Sequence, residues 1–151
     1  MLEEREKLWR ARHDTLYASL ALRPGSRAQI TDVCVPISRL AECILETKTD
    51  HAGAPFPMSL VGHAGDGNFH LLYLLDLGNQ AEIDAARRLN ERLVMRALAM
   101  GGTCSGEHGV GIGKMKYLEA EHGPALDVMR TIKRALDPDN RMNPGKMLDM
   151  G

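Results

Sequence analysis

Two histidines, His63 and His70, flank a turn of small and turn-forming residues in Gly62-His-Ala-Gly-Asp-Gly-Asn-Phe-His70. If His63 ends one strand and His70 lies early in the next, a tight turn brings both imidazoles to one edge. A divalent cation takes such a pair of neutral nitrogens at about 2.0–2.1 Å. Glycine permits the positive φ and close backbone approach that such a turn needs. A second segment, Gly101-Gly-Thr-Cys-Ser-Gly-Glu107-His108-Gly-Val-Gly-Ile-Gly-Lys114, places an acid and a base side by side in a loop that glycine makes compact. Glu107 can supply a third, anionic ligand, so that two histidines and one glutamate hold an ion and leave a position open. His108 is then free to act as a general base. Taken singly, each segment also reads as a plain glycine-rich turn or loop with exposed polar groups, because Gly, Asp and Asn serve turn geometry alone. Together they break the regularity of the chain at a local cost in stability, a pattern that often marks a site.

The elements that must carry these loops follow from periodicity and punctuation. Residues 3–21 read as a helix, with Leu8, Ala11, Thr15 and Leu20 near one face, ended by Arg23-Pro-Gly-Ser26. Residues 27–35 are rich in strand formers and stop at Pro36, which opens a second helix carrying Ile37, Leu40, Ala41, Ile44 and Leu45. A loop over 51–57 precedes two apolar runs, Met58 to Gly62 and Phe69 to Asp76, joined by Ala64–Asn68 as a hairpin. Asn79 is the expected N-cap of a long helix to about Met100, closed by Gly101 and Gly102. Shorter helices are expected over 114–121 and 124–136, followed by a turn-rich tail, Asp137 to Lys146. The order predicts an α+β fold, with helices on one face of a small antiparallel sheet and a C-terminal helical segment.

Composition narrows the function classes. With 151 residues the chain can bury a core without staples, and a net charge of −1 with 4% aromatics offers neither a polyanion footprint nor a base-stacking surface. Nucleic acid is therefore not an expected partner. No apolar run approaches the roughly 20 residues of a membrane span, and the charged stretch Met1 to Lys7 is no signal peptide. That stretch reads as the inside of a helix that starts abruptly, as at a domain boundary or truncation. Cys34, Cys43 and Cys104 are odd in number and match no zinc-finger spacing. Reduced thiols in a cytoplasmic-type compartment are expected. The glycine loop has neither Walker spacing nor G-x-G-x-x-G, and the chain lacks H-E-x-x-H, which argues against a nucleotide site there and against a zinc hydrolase of that kind.

Gly62–His70, Gly106-Glu-His-Gly-Val-Gly111 and the tail from Asp137-Pro138 to Asn143-Pro-Gly-Lys146 resemble the C-terminal domain of the FAD-linked oxidoreductases of the vanillyl-alcohol oxidase superfamily. The branch they resemble contains D-lactate dehydrogenase, the glycolate oxidase FAD-linked subunit and D-2-hydroxyglutarate dehydrogenase. Leu8-Trp-Arg-Ala-Arg12-His and Thr31-Asp-Val-Cys-Val-Pro36-Ile-Ser-Arg-Leu40 fit the same branch, so the resemblance runs through nearly the whole chain. It implies a ferredoxin-like sheet in a cap over an N-terminal FAD domain absent here, and oxidation of a small D-2-hydroxy acid to the 2-oxo acid with a hydride equivalent passing to flavin N5. It implies a divalent metal, often zinc, on His63, His70 and Glu107, with His108 as base and Arg12 pairing the substrate carboxylate through its guanidinium fork. Asn143, with Lys146, would turn towards the flavin. Implied partners are the hydroxy acid and an FAD-binding domain or subunit. Loss of such a domain would expose an apolar patch, so a homo-oligomer is also expected.

The chain departs from some members in having Leu72 two residues after the second histidine, and Gln29-Ile-Thr31 where a lysine precedes the Asp32 strand. Both positions concern a longer or second carboxylate, which leans the reading from 2-hydroxyglutarate towards lactate or glycolate. Trp9 is expected in the core. His13, His51 and His122 are expected on the surface, the methionines as core filler and Arg39 as structural. Cys104, although beside the glycine loop, is not expected to be a redox group. The competing reading is a non-catalytic metal-binding or assembly module, left after loss of the FAD domain.

Overall fold

A computed structural model describes residues 2–150. The architecture turns on β4 (Asn68–Leu75), whose eight residues are all buried. β3 (Met58–His63) pairs antiparallel with it, from Met58 opposite Tyr73 to His63 opposite Asn68. β1 (Arg27–Ile30) and β2 (Val33–Cys34) also run antiparallel to β4, from Arg27 opposite Leu75 to Cys34 opposite Asn68. They are one strand in register, interrupted at Thr31-Asp32. A single bridge from Cys34 to Thr103 extends the sheet beyond β2. The hairpin is therefore where the apolar runs place it. Gly67 closes its turn at φ +75, and a Cβ there would lie 2.0 Å from the Val35 carbonyl oxygen, so no other residue fits.

Successive side chains on a strand point to opposite faces. Phe69, Leu71, Tyr73 and Leu75 face the core with Val33 and Val35. Over them lie α3 (Ile37–Asp50) and α4 (Gln80–Ala99). α4 begins as its N-cap residue dictates, because the Asn79 side chain accepts from the N–H groups of Ala81 and Glu82. Its buried stripe is Ala85, Ala86, Leu89, Leu93, Val94 and Ala97. Arg96 reaches Glu46 at 2.9 Å and pairs with Asp50, tying the two helices at the rim. The α+β class expected from the element order is what the chain adopts.

The other face of β4 carries His70, Leu72 and Leu74, and with them Ser59, Val61 and His63 of β3. α2 (Thr15–Ala21) approaches this face, where Ser19 Oγ donates to Ser59 Oγ at 3.0 Å. The helix expected over 3–21 is in fact two, α1 (Leu2–His13) and α2, parted at Asp14. α1 projects from the body, which leaves Leu8 72% and Trp9 52% exposed. Trp9 is thus not a core residue: a stripe needs something to pack against, and α1 has little beyond α2. The methionines serve as core filler only in part: Met58, Met129 and Met150 pack partly buried against the core. Met100 is the buried one among the described residues, while Met95, Met142 and Met147 are exposed.

The end of the chain is a 3₁₀ turn at Met115–Tyr117 leading into α5 (Leu118–His122), then α6 (Ala125–Leu136). Asp137 accepts from the N–H groups of Arg141 and Met142 at 2.9 and 2.8 Å and so shapes the tail. Met147 N–H then docks the tail on the Gly111 carbonyl at 2.7 Å.

His51 corrects another expectation. It is buried rather than on the surface, because both ring nitrogens find partners inside: Nδ1 donates to the Thr47 carbonyl, and Tyr73 O–H donates to Nε2, each at 2.7 Å. Burial holds the imidazole below its ordinary value of 6.5, with the Thr47 carbonyl partly opposing. The unfolded chain therefore takes up this proton first. The contribution of His51 is complete above about pH 6.5 and is lost as pH falls towards the folded value. Thermal unfolding should show a midpoint that drops between pH 7.5 and 5.5, less steeply in His51→Gln. Tyr73→Phe, which strands Nε2, should cost about 1–3 kcal/mol at neutral pH in denaturant titration; equal stability would refute the burial argument.

Candidate metal centre and the cavity beside it

On the outer face of the sheet, β3 ends at His63 and β4 presents His70 a turn away. The glycine loop crosses the same edge and brings in Glu107. One ligand atom from each of His63, His70 and Glu107 lies within 4.8 Å of the other two. Glu107 Oε1 is 2.9 Å from His70 Nε2 and 3.2 Å from His63 Nε2. His108 Nε2 stands 3.7 Å from the same oxygen, and its ring meets that of His70 edge-on at 5.2 Å between centroids. The two loops singled out by sequence are thus brought together with their ligating atoms inward.

His70 is the most constrained of the set. It is 5% exposed, and Nδ1 donates to the Thr31 carbonyl at 3.0 Å. In the neutral ring this fixes the proton on Nδ1 and leaves the Nε2 lone pair aimed into the site. Nε2 is buried and has no hydrogen-bond partner, since its approach to Glu107 lacks hydrogen-bond geometry. A buried acceptor left open is costly, and a cation is what would satisfy it. Both the donor set and the second-nitrogen tether suit a divalent metal.

His63 is more open, and Arg12 Nη2 lies 2.9 Å from its Nε2. Arg12 also lines a cavity of about 240 Å³ beside the ligand cluster. Leu16, Ile30, Val61 and Leu72 form its apolar wall, and His13, Thr15, His70 and His108 complete it. Asn143 stands apart from this group, exposed in the tail at φ +49. With Lys146 and Gly111 it borders a different cavity of about 530 Å³, under Met129 and Ile132.

Residues 2–147 match the family described as FAD linked oxidases, C-terminal domain. The chain belongs to this family. It is 53% identical over 98% of its length to a protein named probable D-lactate dehydrogenase, mitochondrial, of Danio rerio, of which the match covers 30%. It is 48% identical over 97% of its length to the D-lactate dehydrogenase [cytochrome], mitochondrial, of Arabidopsis thaliana, covering 26% of that protein. With the glycolate oxidase subunit GlcD of Bacillus subtilis the figures are 36%, 96% and 31%. The chain thus spans a third or less of the length of these curated relatives.

Within this FAD-linked oxidase domain, four residues matter that the motifs alone did not single out. Asp32, 3% exposed, lies in the strand break on the face of His70. Its carboxylate accepts from Asn68 Nδ2 at 2.9 Å, Lys114 Nζ at 2.9 Å and the N–H groups of Glu107 and His108 at 3.2 and 3.0 Å. Burial alone would raise the Asp32 carboxyl. The Lys114 ammonium, the His108 N–H and the Asn68 amide outweigh it and hold the group well below the usual carboxylate range. Thr31 contributes its carbonyl to His70, and its hydroxyl instead accepts the Leu71 N–H at 2.8 Å. An acidic residue amid strand formers was the available signal for Asp32. Asn68 and Lys114 were hidden in segments already explained as turn and loop.

The remaining side chains divide by position. His13 is exposed, His122 is half-buried and Arg39 pairs with Glu42 at 2.8 Å on α3. All three cysteines are free. Burial, with Glu121 beside it, pushes the Cys104 thiol up to about 12, and burial raises Cys34 and Cys43 as well. A thiol held protonated is a poor nucleophile. Thiol titration of the folded protein with a disulfide reagent should therefore leave Cys43 and Cys104 unmodified on a timescale where denaturant exposes all three. Prompt reaction of Cys104 would reopen a redox role for it.

Proposed function

We propose that this domain is the substrate- and metal-binding part of an FAD-dependent dehydrogenase that oxidises a small D-2-hydroxy acid to the 2-oxo acid. The observation that carries this reading is His70 Nε2, buried, unpartnered and set between Glu107 and His63. His63, His70 and Glu107 would hold a divalent cation, with zinc favoured by the nitrogen and oxygen donors. Bound there, the cation would act as a Lewis acid on the substrate hydroxyl. Arg12 pairs the carboxylate, a task its paired N–H donors suit. His108 takes the hydroxyl proton: its main chain is fixed on Asp32 while its ring, 56% exposed, is free at the cavity wall. The flavin named in the family description would supply hydride acceptance, held mainly by a part of the polypeptide outside this chain. Asn143 is the residue of this chain assigned to touch it, supported by its place beside Gly111 at the end of the glycine loop.

The cavity supports a monocarboxylate. Arg12 is the one guanidinium or ammonium lining it among the described residues; His13 and Thr15 beside it are on the same helical side, Thr15 Oγ1 already donates to the Ala11 carbonyl, and Ile30 and Leu72 on the sheet offer nothing to a second carboxylate. Lactate and glycolate are therefore favoured over 2-hydroxyglutarate. The partner is an FAD-binding domain or subunit. A homo-oligomer is a further proposal, which light scattering of the purified chain decides. Among the described residues no helix is long and apolar enough to cross a membrane. Free thiols suit a reducing compartment, for which a cytoplasmic-type interior is proposed.

Titration of the chain with Co²⁺, followed by its visible absorption, tests the cation site. The wild type should show a nitrogen-ligated spectrum, and His70→Ala should weaken binding on the order of a hundredfold. Equal binding would remove His70 from the ligand set. Arg12→Ala should leave Co²⁺ affinity intact or higher, because the guanidinium competes for His63 Nε2 and repels a cation. Joined to its FAD-bearing part, the Arg12→Ala enzyme should show a KM for D-lactate raised about ten- to a hundredfold, the worth of a charge-assisted hydrogen bond. Unaltered flavin reduction by D-lactate in Arg12→Ala would rule out that assignment.

A further inference from the structure

The break in the first strand is not explained by the ligand set, yet it organises everything around it. At Thr31-Asp32 the ladder to β4 is given up in part: Thr31 N–H still donates to the Leu71 carbonyl at 2.9 Å, but the Leu71 N–H turns to the Thr31 hydroxyl. This frees the Thr31 carbonyl for His70 Nδ1. The next residue, Asp32, puts its carboxylate on the same face, 3.6 Å from that nitrogen. Neither of its oxygens is spent on the apolar core. One or both accept from Asn68, Lys114, Glu107 and His108. Lys114 Nζ also reaches the Asp32 carbonyl at 3.1 Å, closing the loop over the break.

We infer that Asp32 is a positioning residue: its carboxylate holds the main chain of Glu107 and His108 over His70, so that the acid and the base of the site face the cavity together. The inference rests on the proposed roles of Glu107 and His108 and adds the group that orients them. A simple stabilising ion pair would need Lys114 alone, and buried ion pairs gain little over apolar packing. Here the carboxylate instead satisfies two loop N–H groups that would otherwise be free to turn. A second observation points the same way. The loop passes so close at Gly106 that a Cβ there would lie 2.6 Å from Asp32 Oδ1 and 1.7 Å from Asn68 Nδ2. Glycine at 106 is thus required by approach to the Asn68 amide and the Asp32 carboxylate it donates to, independently of the backbone angle.

Two readouts separate this positioning role from the metal reading. In Asp32→Asn either orientation of the amide sets an NH₂ against donors that now face an oxygen. Amide exchange of the metal-free chain should then quicken about tenfold or more at Glu107 and His108, with Ala86 to Val94 in α4 unchanged. Co²⁺ affinity should fall ten- to a hundredfold, as expected when the support of a ligand is lost. Gly106→Ala keeps Asp32 and Lys114 but lifts the loop, so it should give the same local quickening and the same loss of Co²⁺. It decides the matter if Asp32→Asn does not fold. Exchange unchanged at Glu107 and His108 in the folded variants, or quickened equally throughout α4, overturns the inference. If the wild type itself takes up no Co²⁺, the metal reading falls, and the exchange result still decides whether Asp32 positions the loop.

Discussion

A carboxylate taken out of water must be matched by donors, and at Asp32 the matching draws distant parts of the chain to one point. The start of β4 sends Asn68, the glycine loop sends two main-chain N–H groups, and the end of that loop sends Lys114. None of these groups has strong reason to be there without the charge. The ladder is broken where the charge sits, and the freed Thr31 carbonyl fixes the ring of His70. Regular β structure would have turned the Thr31 carbonyl to the Leu71 N–H and away from the ring of His70. The geometry of the ligand cluster therefore depends on a local departure from sheet pairing.

That dependence explains how the rest of the fold is divided. One face of the sheet is given to the core, under α3 and α4, and asks only for apolar volume from Phe69, Leu71, Tyr73 and Leu75. The other face holds every group assigned to chemistry except those of the tail. His51 shows the contrast within one residue type. Its two nitrogens are satisfied by Thr47 and Tyr73, so the ring is inert and packs as a core residue. His70 has one nitrogen satisfied and one left open.

The sequence made visible what is periodic or punctuated. Asn79 as a cap, Gly67 in the hairpin turn and the apolar stripe of α4 each follow from local rules, and so did the pairing of the two histidine-bearing ends. It also suggested that the glycine loop would meet the hairpin. It did not reveal Asp32, because the carboxylate's role consists of contacts to residues 36 to 82 positions away. Nor did it reveal that His51 is inside, since its partner Tyr73 lies 22 residues further along, in β4. Trp9 failed in the opposite sense: a large apolar residue is a core candidate only where a surface lies opposite, and the part of α1 that carries Trp9 leaves it half exposed, while Arg12 at the helix end is what reaches the sheet.

The alternation of β strands has a consequence for divergence among homologues. Ile30, Val61 and Leu72 line the cavity from three different strands, and each lies on the face opposite the core. A substitution at any of them alters the shape or polarity offered to a small molecule without touching the main core cluster or replacing one of the clustered histidines. Selection for a new substrate can thus proceed at Ile30, which is half exposed, with little loss of folding stability, whereas at the buried Leu72 it must keep the volume filled. Gly102, Gly106 and Asp32 have no such latitude, because each is hemmed in by several neighbours at once. Drift should therefore collect on the cavity wall, while the histidine-bearing turn and the strand break stay as they are.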